Sequence, residues 1–261
     1  MAILGISLAE NKEQQELARL IQQNDKHIIF CEGAAGTGKT FVAVATALQM
    51  IKDKKYKRII YTRDPINMGT DIGFLKGDAD AKIMPYMAPL EDTIRSIVAH
   101  GDKGLNIGDL MSKCEVEPLA FMRGRNISDD TICIFDEAQN NNITELRTMM
   151  TRISEYAKII ILGSNRQIDN PKQRKQEKCD FQRAYELLDG LPYVGVVQLT
   201  KSMRSPWCVE IDELFDQIED VSPKNAAPLK NFSNNSSSHT KTYNINIGDG
   251  INEDRTITIT Q

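Results

Sequence analysis

The sequence has no long apolar segment. Of its 261 residues, 41% are hydrophobic and 6% aromatic, and every apolar run is far shorter than the roughly 18–20 residues that a membrane-spanning helix needs. The first five residues, from Met1 to Gly5, lack the basic start and the longer apolar stretch of a secretory signal peptide. We therefore expect a cytoplasmic protein with no membrane partner.

Disulfide frameworks and zinc sites are also excluded by what is missing. The five cysteines are scattered, odd in number and never spaced as C-x-x-C. The three histidines, His27, His100 and His239, have no neighbours arranged for metal binding or nucleophilic catalysis. The formal net charge of −4 means that any nucleic-acid partner must be met by local basic patches.

What the sequence does contain is a regular alternation of strand and helix patterns. Helical patterns alternate with short apolar runs that are typical of buried strands. The strands are predicted at 27–31, 58–61, 131–135, 158–162 and 194–199, and the helices at 9–23, 41–51, 144–153, 181–188 and 208–218. The mixed segment 63–125 adds a helix at about 90–99. This alternation predicts an α/β fold with a mostly parallel sheet covered by helices on both faces.

The composition changes near residue 221. Proline, asparagine and serine dominate up to His239, which is typical of a linker. Beyond it, residues alternate with period two on both sides of Gly248-Asp-Gly250, and this pattern predicts a β-hairpin. We therefore expect an α/β domain over residues 1–220 and a linker with a hairpin over residues 221–261.

The sharpest motif is a complete G-x-x-x-x-G-K-[ST], placed between the strand at 27–31 and the helix at 41–51. Only glycines let a loop curl so tightly that its backbone N–H groups cradle a triphosphate. Lys39 can reach the β- and γ-phosphates, and the Thr40 hydroxyl can bind Mg²⁺. The phosphate-binding residues predicted here are Gly33, Ala34, Ala35, Gly36, Thr37, Gly38, Lys39 and Thr40.

Two further strand ends supply chemistry beside this loop. The apolar run 131–135 delivers Asp136 to the carboxyl end of a strand, where it can hold Mg²⁺, and Glu137 follows where it could deprotonate an attacking water. The alternative for this pair is a helix cap. Gln167, after the next strand, could sense the γ-phosphate, although an ordinary strand-to-helix loop remains an alternative. Together these motifs predict a RecA-like P-loop NTPase.

The same motifs carry a resemblance to the PhoH-like ATPases, a P-loop family whose core is similar to that of superfamily one helicases. The likeness covers about residues 11–205. Its carriers are the P-loop, Asp136-Glu137-Ala138-Gln139-Asn140, residues 63–85 and Arg123-Gly-Arg125. The resemblance implies Mg²⁺-dependent hydrolysis of ATP to ADP and phosphate, with a link to RNA.

The sequence departs from the family pattern at three positions. Ser164 stands where an acidic residue is usual, and Asp64 and Lys76 stand where prolines are usual. The exchange at Ser164 is compatible with slow hydrolysis, whereas nucleotide binding should survive it.

Two more residues are implied by the likeness to helicases. Asn11-Lys-Glu-Gln14 is similar to the element whose glutamine contacts adenine, and residues 199–205 resemble the segment whose arginine, here Arg204, touches the γ-phosphate. The alternatives are a solvated helix-face residue for Gln14 and a surface salt bridge for Arg204.

The oligomeric state and the partners of the protein are predicted from the likeness to helicases and from the basic residues. Helicases of this kind supply a second domain with an arginine for the cleft, so we expect a homo-oligomer, with a hexameric ring favoured, in which Arg152 or Arg204 reaches a neighbour's ATP. Single-stranded RNA could bind at Arg123, Arg125 and the basic run 172–178. The alternative is an assembly or binding switch that hydrolyses ATP slowly, and a kinase is least favoured.

Overall fold

Parallel strands dominate the computed structural model, which describes residues 1–63, 79–122, 124–219, 240–244 and 256–260. The chain divides into two units, Met1–Val209 and Glu210–Gln261. The departures at Asp64 and Lys76 and the basic residue Arg123 lie outside the described residues. The domain boundary predicted at residue 220 stays a prediction, since residues 220–239 also lie outside them.

The first unit is built on one six-stranded sheet. A short antiparallel pair, β1 (Ala2–Ile3) and β2 (Ile6–Ser7), precedes it. The sheet contains β3 (Ile28–Gly33), β4 (Arg58–Arg63), β5 (Cys114–Val116), β6 (Thr131–Asp136), β7 (Lys158–Gly163) and β8 (Val194–Leu199). These strands are parallel and lie in the order β5-β4-β6-β7-β3-β8. The predicted α/β fold with a parallel sheet is confirmed, and all strands therefore end at one edge, called here the carboxyl edge.

Helices cover the sheet of the first unit. They are α1 (Lys12–Gln22), α2 (Lys39–Lys52), α3 (Ala79–His100), α4 (Ile107–Met111), α5 (Leu119–Met122), α6 (Ile143–Met150), α7 (Pro171–Arg174) and α8 (Asp180–Leu188). A further helix, α9 (Pro206–Glu219), begins in the first unit and continues into the second. A 3₁₀ turn occupies Ala138–Asn140. The helix predicted at about 90–99 is longer than expected, because α3 continues through Pro85 and Pro89, residues that usually interrupt helices. Among the described residues, no helix is long and apolar enough to cross a membrane.

Both faces of the sheet are buried, as continuous apolar strands require. Alternate residues of β3 enter two separate apolar clusters. Ile29 belongs to the cluster that includes Leu17 of α1 and Val44 of α2. Phe30 belongs to the other, which includes Leu146 of α6 and Phe181 of α8. The two packed layers fix the positions of the strand ends, which is what a site at the carboxyl edge needs.

In the second unit, β9 (Thr240–Asn244) pairs antiparallel with β10 (Thr256–Thr260), with Thr242 opposite Thr258. This is the pairing predicted from the period-two alternation. The predicted turn at 248–250 lies outside the described residues.

Lys158 is a buried cation at the start of β7, at the edge of the sheet opposite the carboxyl edge. The residue is 1% exposed, and its Nζ donates to the carbonyl oxygens of Gln23, at 2.8 Å, and Lys26. Burial lowers the pKa of Lys158 to about 8. A neutral amine still has two N–H donors for these two carbonyls, so deprotonation leaves both bonds intact.

A pH-dependent stability follows for Lys158. Its folded pKa lies below the ordinary lysine value, so between about pH 8 and 10 the unfolded chain binds more protons and stability rises with pH. The free energy of unfolding of the wild type, relative to Lys158→Met, should therefore be larger at the upper end of this window than at its lower end. Denaturant unfolding of both proteins at the two pH values measures this difference, in which other titrating groups cancel. A constant difference would contradict a depressed pKa.

Candidate active site

The loop between β3 and α2 has the backbone shape that its glycines predict. Gly36 and Gly38 adopt left-handed conformations, with φ of 77° and 87°, which side chains other than glycine rarely tolerate. Gly38 is the N-cap of α2, so the loop ends at the positive end of a 14-residue helix. Backbone N–H groups at such a helix start form an anion-binding site.

Lys39 crosses the mouth of this loop. Its Nζ donates to the carbonyl oxygens of Gly33 at 2.6 Å and Ala34 at 3.0 Å. The Thr37 hydroxyl also donates to Ala34 O, at 2.9 Å, and closes the curl from inside. The charged amine therefore lies where phosphate oxygens would enter the loop.

Thr40 and Asp136 meet beside the loop. The Thr40 hydroxyl donates to Asp136 Oδ2 at 3.0 Å, although the two residues come from α2 and the end of β6. A hydroxyl and a carboxylate are the hard oxygen ligands that Mg²⁺ prefers, and Mg²⁺ usually keeps several waters besides one or two carboxylates and substrate phosphates. The donor set thus fits Mg²⁺ with the remaining positions taken by water and phosphate.

Asp136 is held in place by a residue that the sequence did not single out. The Tyr61 hydroxyl, from β4, donates to Asp136 Oδ2 at 2.7 Å, and the Glu137 N–H donates to Oδ1 at 3.0 Å. Burial, and then the charge of Asp136, raise the pKa of Tyr61. A buried tyrosine hydroxyl needs a hydrogen-bond partner. A tyrosine near the end of an apolar strand could therefore have indicated, from the sequence, a contact with a polar residue at the carboxyl edge.

Glu137 has an unusual backbone. It lies in the left-handed region, at φ 56° and ψ 35°, directly after β6. Such strain in a residue other than glycine persists only where the surroundings impose it, and it is frequent at functional sites. Burial, followed by the charge of Asp136, raises the pKa of the Glu137 carboxyl, while the Gln139 hydrogen bond and the charges of Arg63 and Lys39 oppose this rise. A carboxylate with a raised pKa is a better proton acceptor than a carboxylate with the ordinary pKa of an exposed glutamate.

Gln139 is the second residue that was not assigned a role from the sequence. It is fully buried in the 3₁₀ turn. Its Nε2 donates to Glu137 Oε2 at 2.7 Å and to the main-chain oxygen of Gln167 at 2.8 Å, and its Oε1 accepts from Ser164 N at 3.1 Å. The only sequence signal was its place in the box that begins at Asp136.

Ser164 and Gln167 lie at the end of β7. Ser164 is buried, and its hydroxyl oxygen accepts from the N–H groups of Arg166 at 3.3 Å and Gln167 at 3.4 Å. This turn brings the main chain of Gln167 to Gln139, while the Gln167 side chain is exposed. The role of Gln167 as a γ-phosphate sensor stays a prediction.

Gln14 and Arg204 both contact the P-loop. Gln14 is 6% exposed, not on a solvated helix face, and its Nε2 donates to Thr37 O at 2.9 Å. Met203 N donates to Gly36 O at 2.8 Å. The Arg204 side chain packs so closely over Gly36 that a Cβ there would lie 2.6 Å from its Cγ, Cδ and Nε atoms. The structure thus brings both predicted residues to the loop, and their contacts to adenine and γ-phosphate stay predictions.

Glu13 fixes this arrangement. Its Oε2 accepts from the N–H groups of Thr200 at 2.7 Å and Lys201 at 3.2 Å. The hydrogen bond from the Thr200 hydroxyl is the main cause that lowers the pKa of Glu13. The start of α1 therefore clamps the segment that carries Arg204 against the P-loop.

The other predicted arginines and lysines lie elsewhere. Arg152 follows α6, where the chain returns toward the start of β7, and its main-chain oxygen accepts from Ile127 N at 2.9 Å. It is therefore remote from the chain's own P-loop. Arg125 forms ion pairs at 2.8 Å with Glu115 and Glu117, and Lys178 forms one at 2.7 Å with Glu186. The glutamates in these pairs neutralise part of the positive charge that was predicted to bind RNA.

Comparison with known proteins agrees with the geometry. The family model described as PhoH-like protein matches residues 7–216. A PhoH-like protein of Bacillus subtilis (strain 168) is 36% identical over 208 residues, which cover 78% of this chain and 62% of that protein. Protein PhoH of Escherichia coli (strain K12) is 32% identical over 77% of this chain and 56% of its own length. The chain thus spans less than two thirds of these relatives.

Among solved structures, the large terminase of a thermophilic bacteriophage is similar, with a TM-score of 0.50. It is 14% identical, and the match covers 77% of this chain and 49% of the terminase chain. At this level of identity the likeness concerns the fold alone.

Proposed function

Because the chain belongs to the PhoH-like protein family, we propose that it binds ATP with Mg²⁺ and hydrolyses it to ADP and phosphate. The observation that supports this most directly is the meeting of three groups at the carboxyl edge. The Thr40 hydroxyl lies 3.0 Å from Asp136 Oδ2, Glu137 follows Asp136, and Lys39 lies across the loop mouth. These are the parts that phosphoryl transfer to water requires.

The phosphates are bound by groups that the fold presents before the reaction. The N–H groups of residues 36–40 and the Lys39 amine receive the β- and γ-phosphates, and Gln14 and Arg204 border the same loop. Thr40 and Asp136 would hold Mg²⁺, which, when bound, neutralises charge on the phosphate oxygens. The long flexible triphosphate is thereby fixed in one orientation.

Glu137 then acts on water. Its carboxylate accepts a proton from the water whose oxygen attacks the γ-phosphorus, while the bond from that phosphorus to the β–γ bridging oxygen breaks and ADP leaves. The raised pKa of Glu137 favours this proton transfer. Gln167, at the end of the neighbouring strand, is proposed to report the presence of the γ-phosphate.

We further propose that hydrolysis is coupled to the binding of single-stranded RNA in the cytoplasm. This rests on the family resemblance and on basic groups such as Lys172 and Lys175, which are exposed. Mg²⁺-dependent ATP hydrolysis, measured with and without single-stranded RNA, tests it. Stimulation by RNA, with binding that weakens steeply as salt rises, is expected. If RNA does not change the rate of hydrolysis, and RNA binding does not depend on the salt concentration, the alternative of an assembly or binding switch with slow ATP hydrolysis is favoured.

The same proposal includes a homo-oligomer, with six chains in a ring. Arg204 packs over the P-loop of its own chain, so Arg152 is the better candidate to reach the ATP of a neighbour. An arginine supplied in trans would stabilise the charge that develops during phosphoryl transfer. Mass measurement at micromolar protein should give six times the mass of the chain when an ATP analogue is present. A monomer with and without the analogue would contradict the ring.

A further inference from the structure

The side-chain amide of Gln139 uses both of its N–H donors and its oxygen inside the site. Both donors and the acceptor have partners within 3.1 Å, and the side chain is excluded from solvent. A buried amide whose oxygen and nitrogen both have such partners is held in one orientation, because each partner can bond to only one end of the amide. Gln139 therefore ties three elements together: the end of β6, the end of β7 and the 3₁₀ turn.

The orientation of the amide is set by its partners. Ser164 contributes an N–H, which can only donate, so Gln139 Oε1 must face it. Nε2 consequently faces Glu137 Oε2 and the carbonyl of Gln167, both of which only accept when Glu137 is ionised. One oxygen of the Glu137 carboxylate is thus fixed by Gln139, and this determines the direction of its second oxygen.

The loop after β7 has a second anchor besides Gln139. Asn140 Oδ1 accepts from Asp169 N at 2.8 Å and Asn170 N at 3.1 Å, and Asn140 O accepts from the Asn170 side chain at 2.8 Å. The adjacent buried amide therefore holds this loop independently. Of the two adjacent amides, Gln139 is the one that also bonds the Glu137 carboxylate.

We propose that Gln139 is a positioning residue that holds the Glu137 carboxylate in line with the attacking water and joins it to the loop that carries Gln167. This inference rests on the proposed ATPase function. Glu137 has a strained backbone, so its side-chain direction depends on what its carboxylate contacts. When Gln139 loses its donors, the carboxylate gains rotamers in which neither oxygen faces the water.

The test compares Gln139→Met with Gln173→Met in the full chain. Both substitutions remove one buried glutamine amide, but only the first loses a bond to Glu137, because Gln173 bonds Asp180 of α8 instead. We expect Gln139→Met to lower kcat about 10- to 100-fold, the size of a misplacement of roughly 1 Å in a reacting group. The dissociation constant of a fluorescent ATP analogue should stay within about twofold in Gln139→Met. Gln173→Met should lower the melting temperature by a comparable amount and leave kcat close to the wild-type value.

Three outcomes would overturn the proposal. Gln139→Met could turn over like the wild type, or it could lose kcat and nucleotide affinity together, or Gln173→Met could lose as much kcat. If Gln139→Met fails to fold, Gln139→Asn replaces it, since it keeps a neutral amide in the turn but is one methylene shorter and cannot keep all three contacts of the glutamine. Hydrolysis by the wild type is measured first against Glu137→Gln. Its absence would refute the proposed function itself, and the role of Gln139 would fall with it.

Discussion

Replacing Glu137 by glutamine should stop ATP hydrolysis and leave nucleotide binding in place. Glutamine has nearly the same shape and can still accept the hydrogen bond from Gln139 Nε2, but it cannot take a proton from water at neutral pH. Loss of a general base costs roughly 10²- to 10⁴-fold in rate. Phosphate release from ATP, measured with Mg²⁺ at saturating nucleotide, gives the loss directly.

Nucleotide affinity separates this loss of chemistry from a loss of structure. The dissociation constant of a fluorescent ATP analogue should be unchanged or lower in Glu137→Gln, because a negative charge near the γ-phosphate is removed. Glu177→Gln makes the same chemical change at an exposed position after α7 and should behave as the wild type. A Glu137→Gln variant that hydrolyses ATP at the wild-type rate would show that another group accepts the proton.

The sequence predicted those parts of the site in which chemistry fixes the spacing. The P-loop must have glycines where φ is positive, and Gly36 and Gly38 are left-handed as that requirement demands. Asp136 follows an apolar strand and therefore arrives at the carboxyl edge, where Thr40 meets it. Each of these positions depends on one strand and the residues next to it in sequence. A short sequence motif is therefore enough to predict them.

Tyr61 and Gln139 depend instead on which strands are neighbours. Tyr61 reaches Asp136 because β4 lies beside β6, and Gln139 reaches Ser164 because β7 lies on the other side of β6. The order of strands in a parallel sheet is decided by packing across the whole domain, and no short pattern states it. Gln167 also depends on this order, because its main-chain oxygen meets Gln139 across the gap between β6 and β7.

The long segment before β5 was predicted least well for a related reason. A helix was predicted at about 90–99, yet α3 begins at Ala79 and continues through Pro85 and Pro89, residues that usually interrupt helices. β5 has three residues and α4 has five, too few for a periodic pattern. Tertiary packing beside β4 decides these elements, and local propensity does not reveal it.

Replacing Lys39 by alanine should weaken ATP binding and reduce hydrolysis together. The substitution removes the amine that lies across the mouth of the P-loop, where it donates to Gly33 O and Ala34 O. A hydrogen bond to a charged group contributes about 1.5–3 kcal/mol, which corresponds to roughly a 10- to 150-fold increase in the dissociation constant. Titration of a fluorescent ATP analogue measures the affinity, and phosphate release measures the turnover.

A lysine at the other end of the same helix provides the control. Lys52 lies in the last turn of α2 and pairs at 3.3 Å with Asp102, with both side chains about half exposed. Such surface pairs contribute about 0–1 kcal/mol to stability, so Lys52→Ala should bind and hydrolyse ATP as the wild type does. If Lys39→Ala kept the wild-type affinity, the triphosphate would have to bind outside the loop. If it lost affinity together with the folded state, the amine would instead be holding the loop, through the carbonyls of Gly33 and Ala34.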